Sequence, residues 1–252
     1  MRRHIVTAVA AATTTALPAT AGVTNTITIG PDTPGWYDAV STTSTVAGGF
    51  DGTLDSLQAS GTGKNQFYLT AESIGATTIG DIASISYSTN KAGDGGSPDW
   101  FIQIYTTPYE GSPGSSWYGN RVQAEPYLGS SIDAPGGQWN TWSTETGTNQ
   151  LNWGDSSNGD FGASLGSFES FKAAGVMGGS ATYGDAGILS FTFGTGSGWA
   201  AGFDGQLGPI TIGLRNGSST IIAFTASIPV VPGPVGLATL AGLACLGSRR
   251  RR

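Results

Sequence analysis

Tyr105, Arg121, Gln123 and Glu125 are the residues best suited by type and spacing to hold a ligand. They fall in two stretches that read as the strongest strands of the chain, Asp99–Thr107 and Arg121–Leu128. Side chains alternate faces along a strand. In the first stretch Phe101, Gln103 and Tyr105 point one way, and Trp100, Ile102 and Ile104 the other. In the second, Arg121, Gln123 and Glu125 oppose Val122 and Ala124. If the two strands are neighbours, Gln103, Tyr105, Arg121, Gln123 and Glu125 share one polar face. A sugar suits such a face, because a ring stacks on its apolar side while amides and charges meet its hydroxyls. Trp117 and Tyr118 in the intervening loop, with Trp139 and Trp142 further on, would add a stacking wall. The plain alternative is a solvated sheet face with an Arg–Glu cross-strand pair worth about 0.2–1 kcal/mol.

The carboxylates open two other chemistries. Glycoside hydrolysis needs only a pair of them. The glutamates are Glu72, Glu110, Glu125, Glu145 and Glu169. Only Glu125 sits on a well-formed strand face, spacing names no partner for it, and no Glu-x-Asp-x-x-Glu run of the concanavalin-like glycanase kind is present. No catalytic residue is therefore assigned, and the expectation is a protein that is not an enzyme. Calcium is the second chemistry. Asp94-Gly95-Gly96-Ser97-Pro98-Asp99 can offer Asp94, Asp99 and carbonyls to an oxygen-seeking cation, and the stretch from Asp155 to Asp160 is similar. Neither has EF-hand spacing, so loop-forming chemistry is the simpler account and no cofactor is expected.

Composition excludes more than it assigns. The single Cys, Cys245, and the single His, His4, both lie at the chain ends. Residues 22–228 thus hold no disulfide, no Ser-His-Asp triad, no Cys-His pair and no thiolate or imidazole zinc site. All 17 acidic residues lie in that span, against five basic ones, Lys64, Lys91, Arg121, Lys172 and Arg215, which leaves a formal charge of −12. Such a surface repels phosphate backbones, so no nucleic-acid partner is expected. Negative charge of this size also favours solubility.

The elements that must position these residues read mostly as strands. Short β-branched and aromatic runs separated by Gly, Asn, Asp and Ser predict an all-β fold, a jelly-roll or concanavalin-like β-sandwich with at most one or two short helices. Further strands are predicted over Thr24–Ile29, Ser41–Ala47, Thr53–Ala59, Asn65–Thr70, Ile82–Ser88, Gln138–Thr144, Gly187–Gly194, Pro209–Leu214 and Thr220–Ala226. In Ile82–Ser88, Ile82 shares a side with Ser84, Ser86 and Ser88. One helix is predicted over Phe168–Ala174, capped by Ser167 and ended by Gly175. Phe50-Asp51-Gly52-Thr53-Leu54 is echoed by Phe203-Asp204-Gly205-Gln206-Leu207, which reads as two similar turn-to-strand entries. The run Gly198-Trp199 through Phe203-Asp204-Gly205 to Ile210-Thr211-Ile212-Gly213 resembles the closing strands of bacterial secreted concanavalin-like or galactose-binding-like sandwiches.

Both ends read as addresses. Met1-Arg2-Arg3-His4, an Ala/Thr-rich segment to Leu17 and Ala19-Thr20-Ala21 have the form of a signal peptide over residues 1–21. The other end carries Val231-Pro232-Gly233-Pro234, a 12-residue apolar run from Val235 to Leu246, then Arg249, Arg250, Arg251 and Arg252. As a helix the run spans roughly 18 Å, short of the ~30 Å hydrocarbon core, and four arginines favour the cytoplasmic side. This tail, residues 229–252, resembles the PEP-CTERM sorting signal of Gram-negative bacteria, although Gly233 stands where that motif has Glu. The resemblance implies transient anchoring in the inner membrane, processing by an exosortase-type enzyme and release to the cell surface or extracellular matrix. Residues 22–228 are then one β-sandwich domain with a binding or structural role and an extracellular polysaccharide as the partner its polar face suits. A glycan-active hydrolase of similar fold is the alternative.

The sorting reading has a direct test. A chain lacking Val231–Arg252 should appear soluble in the periplasm or medium on cell fractionation, and an unchanged distribution would remove the tail as a sorting signal.

Overall fold

The structure is a computed structural model that describes residues 22–30, 36–38, 42–109, 120–160, 164–176, 180–196 and 202–226. Two sheets face each other. The seven-stranded sheet contains β1 (Thr24–Ile29), β3 (Thr42–Phe50), β4 (Leu54–Gly61), β6 (Ile82–Lys91), β9 (Trp139–Ser143), β11 (Phe203–Leu214) and β12 (Ser219–Phe224). The five-stranded sheet runs in the order β2 (Trp36–Asp38), β5 (Asn65–Thr70), β10 (Ile188–Gly194), β7 (Phe101–Thr106) and β8 (Arg121–Ala124). Among the described strands every ladder is antiparallel except that of β1 with β12. Two short helices, α1 (Ala71–Ile74) and α2 (Phe168–Ala173), complete an all-β sandwich.

Period-2 patterning builds the core between the sheets. Leu57, Ile85, Tyr87, Ile210, Ile212 and Phe224 project from one sheet; Phe67, Ile102, Ile104, Val122, Phe191 and Phe193 project from the other. Aromatic edges close the gap: Phe67 meets Phe224 and Tyr87 meets Phe193, in T-shaped contacts at 6.0 and 5.5 Å. Burying one such side chain is worth about 1.5–3 kcal/mol. The same core continues under α2, where Trp153 stacks on Phe171 at 5.3 Å beside Phe168 and Tyr183.

One feature of the sequence escapes a pattern reading. Thr78-Ile79-Gly80-Asp81 and Thr182-Tyr183-Gly184-Asp185 form two 3₁₀ turns with the same capping box. Asp81 Oδ2 accepts the Thr77 and Thr78 backbone N–H groups at 2.9 and 2.8 Å; Asp185 Oδ2 accepts the Thr182 N–H at 2.9 Å. These bonds hold the Asp81 carboxyl down to about 2 and also lower that of Asp185. The turns lie back to back. The Ile79 N–H donates to the Ala186 carbonyl at 3.1 Å and the Ile188 N–H to the Thr77 carbonyl at 2.8 Å. Immediately after the first turn β6 enters the larger sheet, and soon after the second β10 enters the smaller one.

Several expectations are corrected by local chemistry. Ala83 is an extra residue in β6, because Gly213 pairs with Ser84 and Leu214 with Ile82. That bulge turns Ile82 into the core with Ile85 and Tyr87 rather than beside the serines. Pro126 opens a 3₁₀ turn over Pro126–Leu128, so β8 ends at Ala124 instead of Leu128. Helix α2 is capped by Ser167 as expected but ends on an extended Ala174, with Gly175 beyond it. Pro209 lies inside β11, at a register shift between Leu207 and Ile210 where no ladder donor is needed. Phe203–Leu207 is likewise ladder-paired strand, not a turn entry like Phe50–Leu54.

The back-to-back turns give a stability prediction. A Cβ on Gly80 would sit 2.9 Å from the Gly184 carbonyl oxygen, whereas one on Gly175 meets nothing within 4 Å. Gly80→Ala should lower unfolding free energy by about 1–3 kcal/mol in denaturant titration, with Gly175→Ala near neutral. Equal midpoints for the two variants would show that the turn contact carries no stability.

Candidate functional site

The five-stranded sheet assembles the expected polar face. Strands β7 and β8 are neighbours in the register that sets Tyr105 opposite Arg121 and Gln103 opposite Gln123, with Glu125 one step past the end of β8. Strand β5 joins them from across β10, since Thr192 of β10 is in register with both Tyr68 and Gln103. The outward positions of β5 are Gln66 and Tyr68.

A directional row of hydrogen bonds crosses this face. The Tyr68 hydroxyl donates to Gln66 Oε1 at 3.0 Å. Gln66 Nε2 donates to Gln103 Oε1 at 3.3 Å, Gln103 Nε2 to Gln123 Oε1 at 2.6 Å, and Gln123 Nε2 to Glu125 Oε1 at 2.7 Å. The Tyr105 hydroxyl also donates to Gln103 Oε1, at 3.2 Å. Gln66 can reach past a whole strand because Gly194 lies beneath it; a Cβ there would come within 2.6 Å of the Gln66 Cγ. The polarity follows from the end of the row. A carboxylate only accepts, so Gln123 must turn its NH₂ toward Glu125 and each amide behind it must follow.

The row is a floor, not an open surface. Tyr105 is 0% exposed, Gln123 2% and Glu125 8%, while Tyr68 and Arg121 are half-buried. Two polar atoms on the floor are buried without a hydrogen-bond partner, Glu125 Oε2 and Thr192 Oγ1. Burial pushes the Glu125 carboxyl above its ordinary value, against weaker lowering pulls from Tyr127 and Gln123. No second carboxylate acts on it.

Other expected residues go elsewhere. Trp139 lies in β9 of the seven-stranded sheet, half-buried edge-on against Phe50 at 4.8 Å, so it cannot flank Tyr105 and Glu125. Trp142 is core, its indole N–H donating to Thr89 Oγ1 at 2.8 Å. Trp117, Tyr118 and Glu110 lie outside the described residues. An Arg121–Glu125 cross-strand pair does not form, because the two belong to one chain segment and Gln123 lies between them. Gln66, Tyr68 and Thr192 escaped sequence reading. Alternation in Asn65–Thr70 marks the first two as one face, but no local signal says which sheet that face joins.

The two acidic stretches are engaged by the protein itself. Asp94 is exposed and closes a turn, its Oδ1 accepting the Gly96 N–H at 3.1 Å. Asp99 is 1% exposed and faces Lys91 Nζ at 3.8 Å, with Thr89 Oγ1 at 2.6 Å and the Trp100 N–H at 2.7 Å donating to it. The structure therefore turns Asp99 toward an ammonium rather than toward a shared cation with Asp94. Asp155 is filled too: it accepts the Tyr109 and Tyr183 hydroxyls at 2.8 and 2.7 Å, Asn158 Nδ2 at 2.7 Å and the Ser157 N–H at 3.0 Å. Burial and the Asp155 charge both push those tyrosine hydroxyls up. Among the described residues no group of three or more His, Cys, Asp or Glu is placed to hold a metal. Nor is any of their helices long and apolar enough to cross a membrane.

Comparison with known proteins finds no matching family model, no matching curated protein and no matching solved structure. The functional reading therefore rests on the chemistry of the chain itself.

The buried ion pair has a pH signature. Burial pushes Asp99 from 3.8 up to about 6, against the opposing pull of Lys91. The folded protein thus holds this proton where the unfolded chain has lost it. The resulting stabilisation is full below pH 3.8 and disappears as pH rises through about 6. Asp99→Asn lacks that titration. The melting temperature of the wild type relative to the variant should fall across this window, and a flat difference would put the carboxyl at its ordinary value.

Proposed function

We propose that this chain is an exported β-sandwich protein with a binding role, sorted to the cell surface or matrix, whose outer five-stranded face holds a glycan. The observation that carries the reading is Glu125. One of its oxygens ends the Tyr68–Gln66–Gln103–Gln123 row; the other is buried and makes no hydrogen bond of ordinary geometry, although the Tyr127 hydroxyl acts on the same carboxyl. An unmade hydrogen bond to a buried polar atom costs about 1–3 kcal/mol, and more for a charge. A ligand hydroxyl donated to Oε2 would relieve that cost and extend the row. Sugars bring such hydroxyls in number, and the half-buried Tyr68 ring, 6.1 Å from that of Tyr105, offers an apolar partner for a pyranose face.

The export half of the reading is supported by sequence alone. The leader, Val231, Pro232, Pro234, the apolar run and Arg249 to Arg252 all lie outside the described residues. An inner-membrane exosortase-type enzyme remains the partner that this tail resembles a substrate for.

A purely structural matrix role is favoured by a different observation. The amide row is buried and nearly self-satisfied, as a rigid sheet face would be. One experiment separates these readings. The full chain is assayed against a polysaccharide panel for binding and for release of reducing ends. Binding without release supports the glycan reading, release supports a hydrolase, and neither supports the structural role. For a glycan that binds, Glu125→Gln should weaken affinity by roughly ten- to a hundred-fold without lowering the melting temperature. Unchanged affinity would remove Glu125 from the site.

A further inference from the structure

The chain contains two Asn-Gly steps, Asn158-Gly159 and Asn216-Gly217, and both asparagines are exposed. At such a step the glycine nitrogen can attack the asparagine side-chain carbon, because no Cβ on the glycine blocks the approach. The fold holds the two steps in opposite ways. Asn158 ends the 3₁₀ turn Ser156–Asn158, where the Gly159 N–H points back to the Ser156 carbonyl at 3.4 Å. Its Nδ2, the nitrogen that would have to leave, donates to Asp155 Oδ2 at 2.7 Å.

Asn216 stands in the turn that joins β11 to β12. Its Oδ1 accepts the Ser218 N–H at 2.9 Å and the Ser218 hydroxyl at 2.5 Å. A side-chain carbonyl that reaches the N–H two residues on folds across the peptide between them, so its carbon faces the Gly217 nitrogen. Both donors sit on the oxygen that gathers negative charge when that carbon is attacked. The Asn216 Nδ2 has no hydrogen bond among the described residues, so the leaving nitrogen is not held. One restraint opposes the reaction. The Gly217 N–H donates to the Leu214 carbonyl at 3.0 Å, and that bond must open before the nitrogen can attack.

We infer that Asn216 is a self-modifying site, converted to isoaspartate and aspartate in the folded protein ahead of Asn158. The Gly217 nitrogen loses its proton and bonds to the Asn216 side-chain carbon. The bond from that carbon to Nδ2 breaks, and the nitrogen takes up a proton and leaves as ammonia. Water then opens the five-membered imide at either carbonyl. Opening at one gives aspartate; opening at the other gives isoaspartate, whose main chain runs through Cβ and is one methylene longer. The start of β1 is built on this turn. A Cβ on Gly22 would lie 1.6 Å from the Gly217 carbonyl oxygen, and the Ser219 N–H donates to the Val23 carbonyl at 3.1 Å. Isoaspartate at 216 therefore loosens β1, the strand held by the parallel ladder to β12. The inference is independent of the glycan reading.

The test incubates the purified full chain at mildly alkaline pH, native and in denaturant, and follows both sites by peptide mapping with mass spectrometry. In denaturant the two steps should convert at similar rates. In the native chain Asn216 should convert about tenfold or more faster than Asn158, through the oxyanion donors gained and the leaving-group bond avoided. Ser218→Ala, which removes one of those donors, should slow the native conversion by roughly two- to tenfold. Hydrogen exchange of the Thr24–Ile29 amides should rise in the separated isoaspartyl fraction and not in Asn216→Asp, which has the charge without the added methylene. A native rate ratio equal to that in denaturant, or Asn158 converting first, would overturn the inference. An unchanged rate in Ser218→Ala would overturn the role given to its hydroxyl, and unchanged exchange in the isoaspartyl fraction would overturn the loosening of β1.

Discussion

The back-to-back turns at Thr78–Asp81 and Thr182–Asp185 set how the two sheets are joined. With no cysteine between residues 22 and 228, the sandwich depends on packing and backbone hydrogen bonds alone. Each turn is closed by an aspartate that satisfies the backbone N–H groups of its own entry, so neither needs help from outside. The first turn has Gly80 where the Gly184 carbonyl of the second approaches, so backbone meets backbone there. From this one junction β6 runs between β11 and β9, and β10 runs between β5 and β7. Strand β10 thereby enters the centre of the five-stranded sheet. Its inward residues Phe191 and Phe193 enter the core, while Thr192 and Gly194 form the middle of the outer floor. The geometry of the candidate site is thus a consequence of the joint between the sheets.

The floor has a chemistry of its own because it is amide rather than hydroxyl. A hydroxyl can rotate to suit a neighbour, but a glutamine presents donor and acceptor in fixed opposition. A row of three glutamines is therefore poised one way or the other as a unit, and the carboxylate of Glu125 selects the sense. Burial raises the Glu125 carboxyl above its ordinary value, against the lowering pulls of Tyr127 and Gln123.

Local patterning made the architecture legible. Asn65–Thr70 is a strand over the residues its alternation marks, and the face of Tyr105, Arg121, Gln123 and Glu125 formed because two strands close in sequence did pair. The failures have identifiable physical causes. A single inserted residue at Ala83 reversed the side taken by Ile82, which no two-residue period can foresee. Pro126 stopped a strand that hydrophobic alternation would have continued. Trp139, expected in a stacking wall beside the polar face, lies in β9 of the other sheet, because the sheet a strand joins is decided by pairings remote in sequence. The same non-locality hid Gln66 and Thr192, which meet Gln103 only because β10, about 90 residues further on, inserts between their strands. The repeated Thr-x-Gly-Asp motif was visible in the letters, but its meaning lies in a contact between its two copies.

The distribution of charge closes the account of why this fold can be acidic. An excess of carboxylates destabilises a compact chain by self-repulsion unless the protein absorbs them locally. Here several are absorbed as hydrogen-bond acceptors: Asp55, Asp81 and Asp185 each take backbone N–H groups, which hold their carboxyls below the ordinary range. Asp155 takes two tyrosine hydroxyls. Cations are thereby released from general neutralisation. Lys172 can serve as a buried post between α2 and the start of β6, and Lys91 can anchor the loop that leads from β6 to β7.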